Sequence, residues 1–556
     1  MYQQVFDPVS DSLALSSIFA ALPLLTLFVL LGGLKMKAQW AAVISLAVAL
    51  LVAIIVYGMP VGQALDTALL GAAFGLFPIM WIVVNAVWVY NMTVASGDFN
   101  VLRRSFATIS DDQRVHAVII AFCFGALLEA LAGFGTPVAI TAVMLMALGF
   151  QPIKAAAVAL VANTAPVAFG AIAIPIVTLA EITGLPKEDL GAMVGRQTPV
   201  LALIVPLILV GMVDGMRGVR QTWPAAVVGG FVFAVAQFLC SNYVSVELTD
   251  VVAALLGAGA IVLLLRVWQP CEPLIGESGG GMRPAMAGGA TSDPAFEDDV
   301  RRRRGGKDSG AEILRAYAPY LIIIAIFSLA QFGPVKDALA SPTQELSWPG
   351  LDVVDPDGEE VSATTYNFNW LSAAGTLLLI AGLLSMLVLR LSPGAALKAY
   401  VGTLDQLKWA ILTVAAVLGL AYVMNLSGQT VTLGLWATGA GGFFAFLSAM
   451  IGWLGVAVTG SDTSSNSLFG ALQVAAARES GLSPTLLAAA NSSGGVLGKM
   501  VSPQNLAIGA AAVGLAGQEG ELFRKVIGWS LLLLLLMCVL VYLQSTDVLG
   551  WMVVGD

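Results

Sequence analysis

The stretch Glu129-Ala-Leu-Ala-Gly133-Phe-Gly135-Thr136-Pro137 sets a carboxylate, two glycines, a hydroxyl and a proline inside a long apolar run. Glycine weakens a helix, and proline removes a donor and crowds the preceding turn. In hydrocarbon every freed backbone group needs a partner, so such a stretch is tolerated only where protein or a watery cavity surrounds it. A second stretch of the same character, Gly460-Ser-Asp462-Thr463-Ser464-Ser465-Asn466, lies far downstream. The two read as halves of one binding site.

The rest of the chain fits a lipid setting. Of its 556 residues, 58% are hydrophobic and only 11% charged, whereas soluble domains carry about 25% charged residues. Apolar runs recur from about 13–34 to 249–267, and again from 316–332 to 526–545. A span needs about 20 residues, so the expectation is an all-α polytopic membrane protein with about 12–14 membrane-spanning segments. Basic residues are few and mostly flank apolar runs, which excludes a nucleic-acid partner. The four cysteines show no CxxC spacing and give neither a disulfide framework nor a metal site. The N-terminus lacks a basic region, so no cleaved signal peptide is expected.

Lys and Arg in short loops orient the spans. Lys35, Lys37, Arg103, Arg104, Arg114, Arg217, Arg220, Lys398, Lys408, Arg524 and Lys525 mark the cytoplasmic side, with the basic residues of a polar linker at 268–315. The acidic loop 333–368 goes outside, and both termini then fall in the periplasm. Arg114 and Lys154 lie on one side, so 115–150 enters and leaves by the same face. It is a re-entrant hairpin with its tip at Gly133 to Pro137. By the same reasoning 433–475 is a hairpin from the opposite face, with its tip at Gly460 to Asn466. Two hairpins of opposite orientation are the mark of an inverted-topology repeat. Three parts follow: a first transmembrane repeat (1–267), a flexible cytoplasmic linker (268–315) and a second repeat (316–556). The linker is rich in Gly, Ser, Arg and Asp and anchors the topology; Arg301 to Arg304 would otherwise meet anionic headgroups.

Matching residues support the repeat. Asn163-Thr164 is followed by Gly170 and Pro175, and Asn491-Ser492 by Gly498 and Pro503, at identical offsets. The patches Asn163-Thr-Ala-Pro166 and Asn491-Ser-Ser-Gly-Gly495 predict two helices broken there. Broken helices offer amide groups to anions and carbonyls to cations. One such patch alone would read as a kinked packing helix; two in matching positions, each beside a polar tip, read as a site.

Glu129 lies between Gly125 and Gly133 at helical spacing, where small residues admit another helix closely. A carboxyl in an apolar setting suits a proton carrier, and Asp462 is the corresponding acid of the second tip. The plainer reading makes each a capped or ion-paired structural carboxylate, but charge inside a membrane is costly enough that function is the default. Lys499 has no lysine counterpart in the first half, where Ala171 takes the matching place. It either meets a substrate carboxylate or forms a structural ion pair with Asp462 or Glu129. Arg196 reads as interfacial, and His116, the single histidine, as structural. With one histidine and no nucleophile–base pairing in the broken spans, a membrane-embedded enzyme is disfavoured. A sensor or scaffold would not need two matched polar tips.

Glu129-Ala-Leu-Ala-Gly-Phe-Gly-Thr-Pro-Val-Ala-Ile140, Asn163-Thr-Ala-Pro-Val-Ala-Phe-Gly170, Gly460-Ser-Asp-Thr-Ser-Ser-Asn466 and Gly494-Gly-Val-Leu-Gly-Lys-Met-Val-Ser-Pro-Gln504 closely resemble the lactate permease family, over essentially the whole chain. The resemblance implies import of L-lactate, with D-lactate and glycolate, in symport with protons. It also implies elevator-type motion like that of the ion transporter superfamily. Thr136, Asn163, Thr164, Thr463, Ser464, Asn491, Ser492 and Lys499 would then hold substrate, and Glu129 or Asp462 the proton, with no cofactor. The tips lack the Ser-Asn-Thr pattern of the superfamily's dicarboxylate carriers, so sodium coordination does not carry over. A sodium-coupled carrier of another small carboxylate is the alternative.

Overall fold

The computed structural model describes residues 1–274 and 308–555 apart from Lys35, Thr108, Asp111, Ala132, Phe134, Gln331, Asp357, Glu359, Glu360, Ser362, Ala363, Ala516 and Gly517. The side chains of Gly32, Arg103, Phe106, Ala107, Thr136, Ala147 and Ala440 are also outside the description. The middle of the 268–315 linker, with Arg301 to Arg304, therefore lies outside the described residues.

The chain is an all-α polytopic membrane protein. Among the described residues, nine helices are long and apolar enough to cross a membrane. Many begin with proline at the first helical position, where the missing N–H has no intrahelical acceptor to lose: Pro152, Pro393, Pro484 and Pro503. Ser392, Ser483 and Ser502 cap three of these ends by accepting from backbone N–H groups. Helix Lys187–Tyr243 folds back on itself at Gly215, whose φ of 60° suits glycine. Gly195 lies against Ser241 and Gly230 against the Ala202 and Leu203 carbonyls, so limbs 187–213 and 216–243 run antiparallel.

Segments from either side of the linker interleave. Gly71 of helix Val61–Phe74 packs on the Leu418 carbonyl of helix Pro393–Leu426, and Gly419 packs on the Ala68 carbonyl. This reciprocal small-residue contact brings two backbones together where lipid supplies no hydrophobic drive. Outside the bundle, Tyr2–Gln3 pairs in parallel with Val353–Val354, and Gln344–Ser347 pairs antiparallel with Thr365–Phe368.

Both tip-bearing stretches fold as helix–turn–helix hairpins. The first has arms Gln113–Leu131 and Thr136–Ala147. Gly125 faces Thr141 across them, and at the base Gln113 Nε2 donates to the Leu148 carbonyl at 3.1 Å. The second has arms Phe444–Thr459 and Asp462–Glu479, turning at Gly460 (φ 76°). Ser465 Oγ donates to the Gly452 carbonyl at 3.1 Å and Ser448 Oγ to Gln473 Oε1 at 2.8 Å, joining the two arms.

Arg114 fixes the base of the first hairpin. Its Nε and Nη2 donate to Asp112 at 3.0 and 2.6 Å, Nη1 to Asp214 and Gln221 at 3.0 and 2.6 Å, and Nη2 also to the Glu272 carbonyl at 2.6 Å. All five guanidinium donors are used, so one buried side chain ties the hairpin, the 214–215 fold-back and the start of the linker together.

Both matched helices are interrupted, and the second differs from expectation. After Pro152–Ala162 the chain turns by 66° before Val167–Thr183, and Ala171, Ile172 and Ala173 take left-handed φ of 43°, 59° and 57°. For residues with a Cβ that conformation costs about 1–2 kcal/mol each, so the surrounding packing imposes it. Beyond the linker, helix Pro484–Gly498 runs unbroken through Gly494-Gly495. Its interruption falls at Lys499–Val501 and the extended Ser502, before helix Pro503–Ala512. The physical reason is contact rather than helix breaking: a Cβ on Gly494 would strike the Ala449 carbonyl, and one on Gly498 the Trp453 carbonyl. These glycines let helix Pro484–Gly498 lie against hairpin arm Phe444–Thr459. By the matching offsets, Lys499 to Ser502 correspond to Ala171 to Ile174, so the two interruptions coincide.

Candidate functional site

Hairpins and broken helices cross over between the two halves. Lys499, in the second interruption, reaches Glu129 on the first hairpin, with Nζ–Oε1 of 2.5 Å. Asn466, on the second hairpin, donates through Nδ2 to the Pro175 carbonyl, just past the first interruption, at 3.0 Å. Each hairpin thus grips the broken helix of the other half.

The ion pair is buried, with Glu129 2% and Lys499 7% exposed. Of the two alternatives for Lys499, the carboxylate it meets within the chain is Glu129 and not Asp462. Glu129 lies over the first interruption: a Cβ on Gly170 would come within 2.9 Å of its Oε1. Only the backbone of Gly170 lets the carboxylate approach the break so closely. Its other oxygen, Oε2, is buried with no hydrogen-bond partner among the described residues. An unmet carboxylate oxygen beside an ammonium is unusual, since buried polar groups are nearly always satisfied.

The second acid is held differently. Asp462 Oδ2 accepts from Ser492 Oγ at 2.5 Å, while Oδ1 is buried without a donor. Gly495 keeps the space beside it open. Ser461 caps the second arm, accepting from the Ser464 N–H at 3.2 Å, and Ser467 Oγ donates to the Thr463 carbonyl at 2.8 Å. Thr463 and Ser464 therefore stand on the first turn of that arm, with Thr463 half-buried.

The matched asparagines differ. Asn491 Nδ2 donates to Asn466 Oδ1 at 2.9 Å and its Oδ1 accepts from Gln473 Nε2 at 3.2 Å, so its amide belongs to a satisfied network. Asn163, 4% exposed, has neither amide atom partnered among the described residues. Its neighbour Thr164 donates to the Val161 carbonyl at 2.7 Å. The side chain of Thr136 lies outside the described residues.

The second tip meets helix Pro503–Ala512, where Asn505 Nδ2 donates to the Gly460 carbonyl at 3.4 Å and to Ser502 Oγ at 2.8 Å. Gly135 of the first tip faces Asn505 and Ile508 of the same helix. Asn505 and Gln473 escaped the sequence reading, in which Asn466 entered only as the end of the second tip. Gln473 follows Asn466 by seven residues, two helical turns, and so shares its face; that spacing was the available signal. Arg196 binds Asn242 Oδ1 at 3.0 Å and the Met552 carbonyl at 2.8 Å, tying down the C-terminal segment.

The site holds a buried Glu129–Lys499 pair, and among the described residues its hairpins and interrupted helices carry buried polar atoms without partners: Glu129 Oε2, Asp462 Oδ1, Ser493 Oγ and both amide atoms of Asn163. It offers one ammonium and an amide to an anion, and two carboxylates to protons.

Comparison with known proteins adds a separate line. The sequence profile of the family described as L-lactate permease matches residues 16–546. The L-lactate permease of Escherichia coli (strain K12) is 42% identical, covering 100% of both chains. That of Bacillus subtilis (strain 168) is 42% identical over 99% of this chain and 100% of its own. The glycolate permease GlcA of Escherichia coli (strain K12) is 41% identical over 99% of each.

Proposed function

The chain belongs to the L-lactate permease family, and from that premise we propose that it imports L-lactate, with D-lactate and glycolate, across the bacterial inner membrane together with a proton. Relatives named for L-lactate and for glycolate, at similar identity over full length, support a small 2-hydroxy monocarboxylate as the substrate class.

The observation that carries the coupling is the Glu129–Lys499 pair. Empty, the pair is neutral. A lactate anion taking the Lys499 ammonium adds a negative charge, and protonation of Glu129 removes one. Empty and fully loaded sites are then both neutral, while a site holding only anion or only proton is charged. Moving a net charge through the bilayer interior costs several kcal/mol, so the two neutral states cross and the half-loaded states do not. Charge balance alone thus couples lactate to the proton.

Asn163, with Thr164 beside it and Thr136 at the first hairpin tip, supplies polar groups for the carboxylate and the 2-hydroxyl in the first half. Thr463 and Ser464 do so on the second hairpin. Asn491 and Ser492 hold that hairpin's shape, and the Asp462 carboxyl, bonded to Ser492, is the second proton-holding candidate. The two repeats, 1–267 and 316–556, joined by the 268–315 linker and with both termini periplasmic, would move their hairpin-bearing elements against a scaffold of outer spans.

The test is uptake of labelled L-lactate into proteoliposomes holding the purified protein. An inward proton gradient should drive accumulation, and clamping the membrane potential should leave it unchanged. Accumulation under a sodium gradient at equal pH, with none under a proton gradient, would overturn the reading.

A further inference from the structure

Asp250 opens helix Thr249–Leu264 and is fully buried. Its Oδ1 accepts from Gln237 Nε2 at 2.9 Å, and Oδ2 has no partner among the described residues. Neither oxygen accepts from the helix's own N–H groups, so it is not a cap. No lysine or arginine is among its partners. A buried carboxylate without a cation or further donors is expensive unless it takes up a proton.

Its single bond leads to the site. The same Gln237 Nε2 donates to the Ala165 carbonyl at 3.3 Å, and Gln237 Oε1 accepts from Thr198 Oγ at 3.3 Å. Ala165 lies in the first interruption, two residues past the unpartnered Asn163. Gln237 is fully buried, so a closed chain of polar groups runs from Asp250 to the broken helix. Helix Thr249–Leu264 also packs on the Gly125–Leu131 segment that carries Glu129.

We propose that Asp250 is a proton relay for Glu129. This rests on the proton-coupled reading above and extends it. In the loading step the O–H bond at Asp250 Oδ2 breaks and one forms at a Glu129 oxygen, as the Glu129 carboxylate leaves Lys499 to the substrate anion. Asp250 is left as a carboxylate and regains a proton from solution, so one proton still accompanies each anion. The titratable and charged groups facing Asp250 are Glu129, itself held by Lys499, and the Cys240 thiol on limb 216–243. Beyond Cys240, Glu247 is held by Lys187. Of the other segments packed on this helix, Ala117–Phe124 brings the Cys123 thiol against Gly257, and on Gly310–Ala330 Arg315 is taken by Asp98.

The test compares proton-driven uptake with lactate counterflow at equal pH in proteoliposomes. Asp250→Asn keeps an oxygen for Gln237 but holds no exchangeable acid. Its driven uptake should fall about tenfold more than its counterflow, about 1.4 kcal/mol on the proton step alone, and Asp250→Glu should recover most of it. Equal losses in both assays, or none in either, would overturn the relay. If Asp250→Asn does not fold, Asp250→Glu must still shift the pH midpoint of uptake, and an unshifted midpoint also overturns it. Wild-type protein that shows no proton-driven uptake refutes the coupled reading instead, before any variant is compared.

Discussion

Lys499 and Glu129 stand 370 residues apart and meet at 2.5 Å inside the membrane-spanning bundle. Removing one partner of a buried pair strands the other, at a cost of about 3–5 kcal/mol. Lys499→Ala should therefore lower the thermal midpoint as well as raise the KM for lactate steeply. The double variant Glu129→Gln/Lys499→Met removes both charges. It should recover most of the stability and none of the transport. A double variant that transports with normal affinity would take the pair out of the mechanism.

Glu129→Gln alone separates coupling from binding. It leaves an amide facing the Lys499 ammonium, mimicking the protonated acid. Proton-driven uptake should be lost while counterflow persists. Normal medium alkalinisation as lactate enters would count against Glu129 as the carrier.

The matched asparagines should respond in opposite ways. Asn491 is bonded to Asn466 and Gln473, so Asn491→Ala leaves buried partners unmet, at about 1–3 kcal/mol each, and lowers the midpoint clearly. Asn163 has no partner to strand. Asn163→Ala should keep the midpoint within a few degrees and raise KM about tenfold. Equal destabilisation by both would mean that Asn163 is structural.

These contrasts show what was legible in the sequence. The matched offsets of Asn163, Gly170 and Pro175 with Asn491, Gly498 and Pro503 are local patterns, and both interruptions appear where they coincide. Gly494-Gly495 misled because in a lipid setting glycine serves close packing as readily as helix breaking, and nothing local tells the two apart. The partner of Lys499 depends on how distant segments cross, which no local pattern encodes. Asp250 and Gln237 were hidden for another reason: each is one polar residue in an otherwise apolar run, and only their meeting makes them informative.

The packing reading of the glycines has its own test. A Cβ on Gly452 would strike the Asn491 carbonyl, and one on Gly494 the Ala449 carbonyl. Gly452→Ala and Gly494→Ala should each destabilise by about 1–3 kcal/mol through overpacking. Gly528, in helix Glu519–Gln544, has nothing within 4 Å of a Cβ. Gly528→Ala should be neutral or slightly stabilising, because alanine favours the helix. Thermal unfolding in detergent ranks the three.

At the turn before helix Thr249–Leu264, burial pushes the Glu247 carboxyl up, but the Lys187 ammonium and the Ser245 hydroxyl outweigh it and hold it below the ordinary carboxyl value. A lowered folded value contributes stability that is present above the unfolded value of about 4.3 and is lost as pH falls through the folded one. Glu247→Gln should lower the midpoint at pH 7, and the difference should shrink as pH falls below about 4.3 and through the folded value. A constant difference across that range would show that packing rather than charge is lost.

Arg114 is the strongest case for a single residue holding the fold. Its guanidinium faces Asp112, Asp214, Gln221 and the Glu272 carbonyl, and every N–H is engaged. Lysine has three donors from one point and cannot span a bidentate carboxylate and three further acceptors. Arg114→Lys should therefore behave much like Arg114→Ala, leaving Asp112 and Asp214 without adequate compensation and costing about 3–5 kcal/mol. Because these contacts join the hairpin base to the fold-back and to the start of the linker, the loss should appear first as protease cleavage near residue 272. A lysine variant with wild-type midpoint and cleavage rate would reduce Arg114 to a charge marker beside the membrane.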